Sequence, residues 1–176
     1  TRYLLLHMHY SGSCSPRYAG QVHSRITMVI RYIAFISLAL IYSIIFIGGY
    51  ISAAGLGLSC PDWPLCNGQL LPREYFMIEW IHRFIAATTG VFVITTAVLA
   101  YFHKKTELKI RLTSTLAAVF VITQIILGFI VIEEKLHALL VAIHLGIGVL
   151  LFTSALLTTL FAYRIDRKEN VTTKHS

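Results

Sequence analysis

Of the 176 residues, 56% are hydrophobic and only 13% are charged, and the mean hydropathy is +0.72. Soluble domains carry roughly 25% charged residues, so this composition excludes an ordinary water-facing fold. The formal charge of +7 would suit nucleic acid if the basic residues formed one soluble patch, but they are strung between apolar stretches, and nucleic-acid binding is excluded with it.

The chain opens on "TRYLLLHMHYSGSCSPRYAGQVHS", which holds no apolar window long enough to span a bilayer and no signal-peptide cleavage pattern. Residues 1–27 read as an inner tail, or as translated sequence upstream of a start at Met28. His7, His9, Cys14 and His23 are given no function. Residues 28–163 then form a membrane domain with four spans of about 20 or more apolar residues each, at Tyr32–Tyr50, Ile78–Phe102, Leu112–Ile132 and Leu136–Tyr163. A loop at 51–77 joins the first two spans, and a basic tail at 164–176 follows the last. The expected fold is all-α, a polytopic four-helix bundle in the lipid bilayer.

The lysines and arginines orient it. Arg2, Arg17, Arg25 and Arg31 precede the first span, Lys104, Lys105, Lys109 and Arg111 join the second to the third, and Arg164, Arg167, Lys168 and Lys174 follow the fourth. Only Arg73, Arg83 and Lys135 lie opposite, with Asp62, Glu74, Glu79, Glu133 and Glu134. The positive-inside rule puts both termini in the cytoplasm and the 51–77 loop outside a plasma membrane.

That loop contains "GLSCPDWPLCNGQLLP", Gly57 to Pro72. Cys60 and Cys66 face a compartment that permits disulfides, with Pro61 and Pro64 bending the chain between them. Two readings stand: a structural staple closing a small ring, or a thiol pair that relays electrons or is reduced by a thioredoxin-like partner. For zinc the pair lacks a matching second pair.

Ionisable groups inside spans are costly and mark sites. In "EWIHRF", Glu79 and His82 are neighbours on one helix face, and Arg83 stands four residues after Glu79, placed to pair with it. Counting residues from the outer ends puts His82 and His144 in the outer third of the bilayer on two different helices. Such a pair suits a haem held edge-on between helices, with neutral imidazoles on its iron. Ala86, Thr89 and Gly90 lie below His82, and Gly148 and Ala155 below His144. These small residues serve either a flat macrocycle or close helix packing. His137 shares the face of His144 nearer the interface, as a solvated side chain or a contact for a haem propionate. Gln124 and Gly128 read as interhelical glue, and His103 and His175 as solvated. Glu79 is either a carboxylate favoured by the start of its helix or an acid/base group beside the substrate.

Gly48–Gly49, "GLSCPDWPLCNG", "EWIHRF" and "AIHLGIGVLL" follow one another in this order. The succession, from Met28 to Phe161, resembles the haem A synthase family of cytochrome oxidase assembly. The resemblance implies His82 and His144 as haem iron ligands, a Cys60–Cys66 disulfide in the outer loop, and Glu79 as a catalytic carboxylate. It implies an oxidoreductase that converts the C8 methyl of haem O to a formyl group, giving haem A, with haem B as another occupant. Haem O synthase would then be a partner. Family members usually hold two such four-helix halves, so one half implies a homodimer or larger homo-oligomer. A Thr-Arg pair common after the Gly-Gly is Ile51–Ser52 here. The rival readings are a non-catalytic b-type electron-transfer protein, in which Glu79 is dispensable, a disulfide–quinone oxidoreductase centred on the cysteines, and, ranked last, a transporter.

Overall fold

A computed structural model describes residues 16–60, 66, 68, 77–103 and 106–174, with helix side chains from Arg25 to Arg164. The expectations for Arg2, His7, His9, Cys14, Asp62, Arg73, Glu74, Lys104, Lys105 and His175, and for the bends at Pro61 and Pro64, fall outside the described residues, as do the side chains of Arg17, His23, Arg167, Lys168 and Lys174.

In hydrocarbon no water is available for N–H and C=O groups, so an apolar chain must satisfy its backbone within each segment. Four helices do this: α1 (Pro16–Ala53), α2 (Met77–Phe102), α3 (Leu108–Glu133) and α4 (Ala138–Lys174). Each contains a stretch long and apolar enough to cross a membrane: Arg25–Ala53, Met77–Phe102, Leu108–Glu133 and Ala138–Arg164. The protein is a multi-pass membrane protein.

The expected spans are all present, but α1 begins at Pro16 and α4 runs to Lys174. Hydropathy marks where a helix enters the apolar phase and is blind to its continuation into water. Proline at the first helical position needs no N–H partner and starts α1 without loss. Helical backbone therefore runs through both positions, 27/28 and 163/164, where the composition changes.

Each helix packs on two others, α1 on α2 and α4, and α3 on α2 and α4, so α2 and α4 occupy opposite corners of the bundle. Ile41, Val93, Ala117, Val121, Leu151 and Ala155, drawn from all four helices, fill the middle. Ile30, Ala100, Ile110 and Ala162 close the end nearer the chain termini. Small residues let the helix backbones approach, which in lipid replaces the hydrophobic drive to associate. Buried hydroxyls also fit, because Ser37, Thr89, Thr96, Ser154 and Thr159 each donate to the carbonyl four residues back. Between helices, the Thr158 and Thr113 hydroxyls are hydrogen-bonded at 2.9 Å.

The joints set the height of each helix. After α1, Leu56 N–H reaches Ile51 O and Gly55 N–H reaches Ser52 O, with Gly55 at φ +69°. This is a Schellman ending, and glycine takes its left-handed position without strain. After α3 the same pattern joins Leu136 to Val131 and Lys135 to Ile132. Here two non-glycine residues, Lys135 (φ 50°) and Leu136 (φ 62°), are left-handed. Packing holds Leu136: a Cβ on Gly57 would sit 3.0 Å from its Cδ1, so the α3–α4 joint rests on the backbone of the cysteine loop. At the other end Arg111 donates from Nη2 to His103 O at 2.8 Å, covering the C-terminus of α2.

Ile41 is fully buried in the middle layer. Ile41→Ala is expected to cost about 2–5 kcal/mol by leaving a cavity, read as a lower unfolding midpoint in detergent; an unchanged midpoint would contradict the packing.

Candidate functional site

The site lies at the end of the bundle that carries the cysteine loop. Both α2 and α4 begin there. His82 comes five residues after Met77 and His144 six after Ala138, which at 1.5 Å per residue sets them about 8 and 9 Å down their helices. The two imidazoles thus stand at about the same depth on α2 and α4, the opposite corners of the bundle.

Both rings are half-buried. Their Nδ1 atoms are buried and have no hydrogen-bond partner among the described residues. Each ring also leans on a glycine of the preceding helix. A Cβ on Gly48 of α1 would lie 3.0 Å from His82 Cε1, and one on Gly128 of α3 would lie 3.5 Å from His144 Cε1. The bundle thus repeats one unit twice, a histidine on an even-numbered helix backed by a glycine on the odd-numbered helix before it.

Beside His82 the loop is fastened to α2. Glu79 is buried, with only 4% of its surface exposed. Its Oε2 accepts from Ser59 Oγ at 2.8 Å and from Cys60 N–H at 2.9 Å. Its Oε1 accepts from Arg83 Nη2 at 2.6 Å, and Arg83 Nη2 also donates to Cys60 O at 2.6 Å. Three of these contacts bind one turn of α2 to Ser59 and Cys60, and Cys60 is joined to Cys66 by a disulfide. The Cys60–Cys66 bond expected from the resemblance is present, and the pairing of Glu79 with Arg83, read from their spacing, is present too. Glu79 is an anchor of the loop; both of its oxygens are already taken.

His137, just ahead of α4, is exposed and is not gathered with the other two histidines. The small residues below the histidines are filled by protein. Gly90 faces Ile125, Gly148 faces the Gln124 amide, and Ala155 belongs to the central core. Of the two readings for that stripe, packing is the one realised. Gln124 is more than glue, since its Nε2 donates to His144 O at 2.8 Å. Ile51, where the Thr-Arg pair would begin, is buried and Ser52 is exposed. Three contributors were not picked out as such: Ser59, Leu136 and Gly48 in its role behind His82. Only the Gly48–Gly49 pair gave any signal in the sequence; the other contacts join residues distant along the chain.

Fold and site define a polytopic four-helix membrane protein with two histidines at one depth, their buried Nδ1 atoms without a hydrogen-bond partner among the described residues, at the end that carries the disulfide. A family profile described as cytochrome oxidase assembly protein matches residues 31–76 and 73–176. The chain belongs to that family. Among its relatives, a heme A synthase of Bacillus licheniformis is 34% identical over 125 residues, covering 69% of this chain and 41% of the relative. Heme A synthases of an Exiguobacterium species (31% identical; 74% of this chain, 45% of the relative) and of Listeria welshimeri (29% identical; 71% and 43%) are similar. The chain spans less than half the length of these relatives.

Glu79 is the acceptor shared by Ser59, Cys60 and Arg83, and losing a buried hydrogen-bond partner costs about 1–3 kcal/mol. Glu79→Ala is therefore expected to lower the unfolding midpoint and to speed protease cleavage between Ser59 and Met77. Unchanged cleavage would show that the loop is held by something else.

Proposed function

We propose that this chain binds haem between α2 and α4 through His82 and His144, and that it oxidises the C8 methyl of haem O to a formyl group, giving haem A for cytochrome oxidase. The single observation that carries the reading is the pair of imidazoles at one depth on α2 and α4, whose buried Nδ1 atoms have no hydrogen-bond partner among the described residues and which are each backed by a glycine. A buried polar atom without a partner is rare and calls for an occupant. Two neutral imidazoles are a donor set suited to haem iron, so the residues fit the group.

When bound, the haem would supply the oxidisable methyl and the iron that the histidines would hold; going from methyl to formyl with one water releases four protons and four electrons, which an external electron acceptor must take. The chain's own side chains bind and orient. His82 and His144 fix depth and orientation from opposite corners. His137, exposed at the mouth, is assigned a contact with a haem propionate. Glu79 acts next to the substrate by holding the Ser59–Cys60 backbone in place over His82; to take up a proton as the catalytic carboxylate it must first loosen from Ser59 or Arg83. The disulfide keeps the loop closed against water and thiols, and a thioredoxin-like reductant is the class of partner that would open it. Haem O synthase is the proposed supplier of substrate. A second copy of this chain, in a homodimer or larger assembly, is proposed to stand where the longer relatives carry further sequence. The basic residues orient it in the plasma membrane with the cysteine loop on the outer side.

One observation favours a second reading. Because Glu79 is fully occupied by the loop, haem B could reside at the same histidines for electron transfer alone.

Purified protein given haem O, followed by extraction and chromatography of the haem, separates the two. The proposal predicts haem A, abolished by His144→Ala. Bound haem returned unchanged would overturn the synthase reading in favour of electron transfer. Gly48→Ala, which presses a methyl on His82, is expected to weaken haem binding about tenfold, the scale of a lost support behind a metal ligand. Undiminished binding would contradict the role of the glycine.

A further inference from the structure

We infer that Gln124 of α3 is a positioning residue for His144, setting the rotation and height of the ligand-bearing turn of α4. The inference rests on the proposed haem role of His144.

Gln124 Nε2 donates to His144 O, the backbone carbonyl of the ligand residue itself, at 2.8 Å. In a helix that carbonyl already faces the N–H of residue 148, and its second lone pair is free for another donor. An ordinary side chain at 148 would block the approach: a Cβ there would lie 2.7 Å from Gln124 Nε2. Gly148 is therefore the opening through which the amide reaches α4. One turn along α3, on the same face, Gly128 backs the His144 ring. One stripe of α3 thus meets the ligand twice, at its backbone through Gln124 and at its imidazole through Gly128.

The amide orientation follows from its target. A carbonyl only accepts, so the NH2 group must face it, leaving Gln124 Oε1 elsewhere. That oxygen is buried with no hydrogen-bond partner among the described residues. Adhesion between two apolar helices needs no such group; leucine or methionine would pack there without a stranded acceptor. What the amide adds is register. Successive residues of a helix are turned by about 100°, so a slip or rotation of α4 by one residue would swing His144 out of line with His82. A hydrogen bond to the ligand's own carbonyl opposes that motion at the point where it matters.

Gln124→Met keeps the volume and removes the donor. Gly148→Ala keeps Gln124 and displaces its amide, which is the flexible end of a side chain. Both are expected to keep the wild-type oligomeric profile and to weaken haemin binding about tenfold, on the scale of lost outer support for a metal ligand. Both should also shift the ferric low-spin electron paramagnetic resonance signal, which reports the relative orientation of the two imidazole planes. A second readout needs no haem. In haem-free protein, diethyl pyrocarbonate should modify His144 several-fold faster in either variant than in wild type, with exposed His137 unchanged as the internal reference. Wild-type His144 reactivity in both variants would overturn the positioning role, whether or not haem binds. If wild-type protein fails to bind haemin while the variants still change His144 reactivity, the haem reading falls and the positioning of His144 by Gln124 stands.

Discussion

A carboxylate at the edge of an apolar phase must find its hydrogen-bond donors within the protein, and Glu79 finds them in the cysteine loop and in Arg83. The rest of the site hangs on that requirement. The loop is drawn onto the first turn of α2, its Cys60–Cys66 bond closes a ring next to the contact, and the backbone at Gly57 becomes the surface on which Leu136 and the α3–α4 joint rest. One buried charge pair therefore fixes the starting points of both helices that carry histidines. Freed from the loop, Glu79 and Arg83 would lose the hydrogen bonds to Ser59 and Cys60 that help to satisfy two charges near lipid.

Labour is divided among the four helices. α2 and α4 carry the imidazoles; α1 and α3 carry the residues that seat them, Gly48 behind His82 and Gly128 behind His144. Glycine suits this task because any Cβ at Gly48 would press on the ring. The far half of the bundle has another character. Most of its hydroxyls are turned back on their own helices, and a small cavity there is lined by Ser37, Thr96, Ser114 and Thr158 among alanines. The ionic and backbone hydrogen bonds to side chains of α2 gather at the loop end.

The four spans were legible because the physics that creates them is one-dimensional: a run of apolar residues as long as the bilayer is thick. Where the helices stop was not, since Pro16 and Lys174 lie where hydropathy no longer reports on helix. His82 and His144 were legible for a related reason, that an ionisable residue in an apolar run is rare and must serve some end. Glu79 was found but only half understood. Its contact with Arg83 follows from a spacing of four, whereas its bonds to Ser59 and Cys60 cross from a different segment, and no local pattern announces them. The small residues beneath the histidines left two readings open. Room for a flat ring and room for a neighbouring side chain look alike in sequence, and the space at Gly148 is taken by Gln124.

The central claim is that two histidines from opposite helices hold one haem. Haemin titration of the purified protein, followed by its optical spectrum, tests it most directly. The account predicts saturable binding with a six-coordinate low-spin spectrum in wild type, lost or converted to a five-coordinate form in His82→Ala and in His144→Ala alike. No binding by the wild-type protein, or an unaltered low-spin spectrum in both variants, would contradict it.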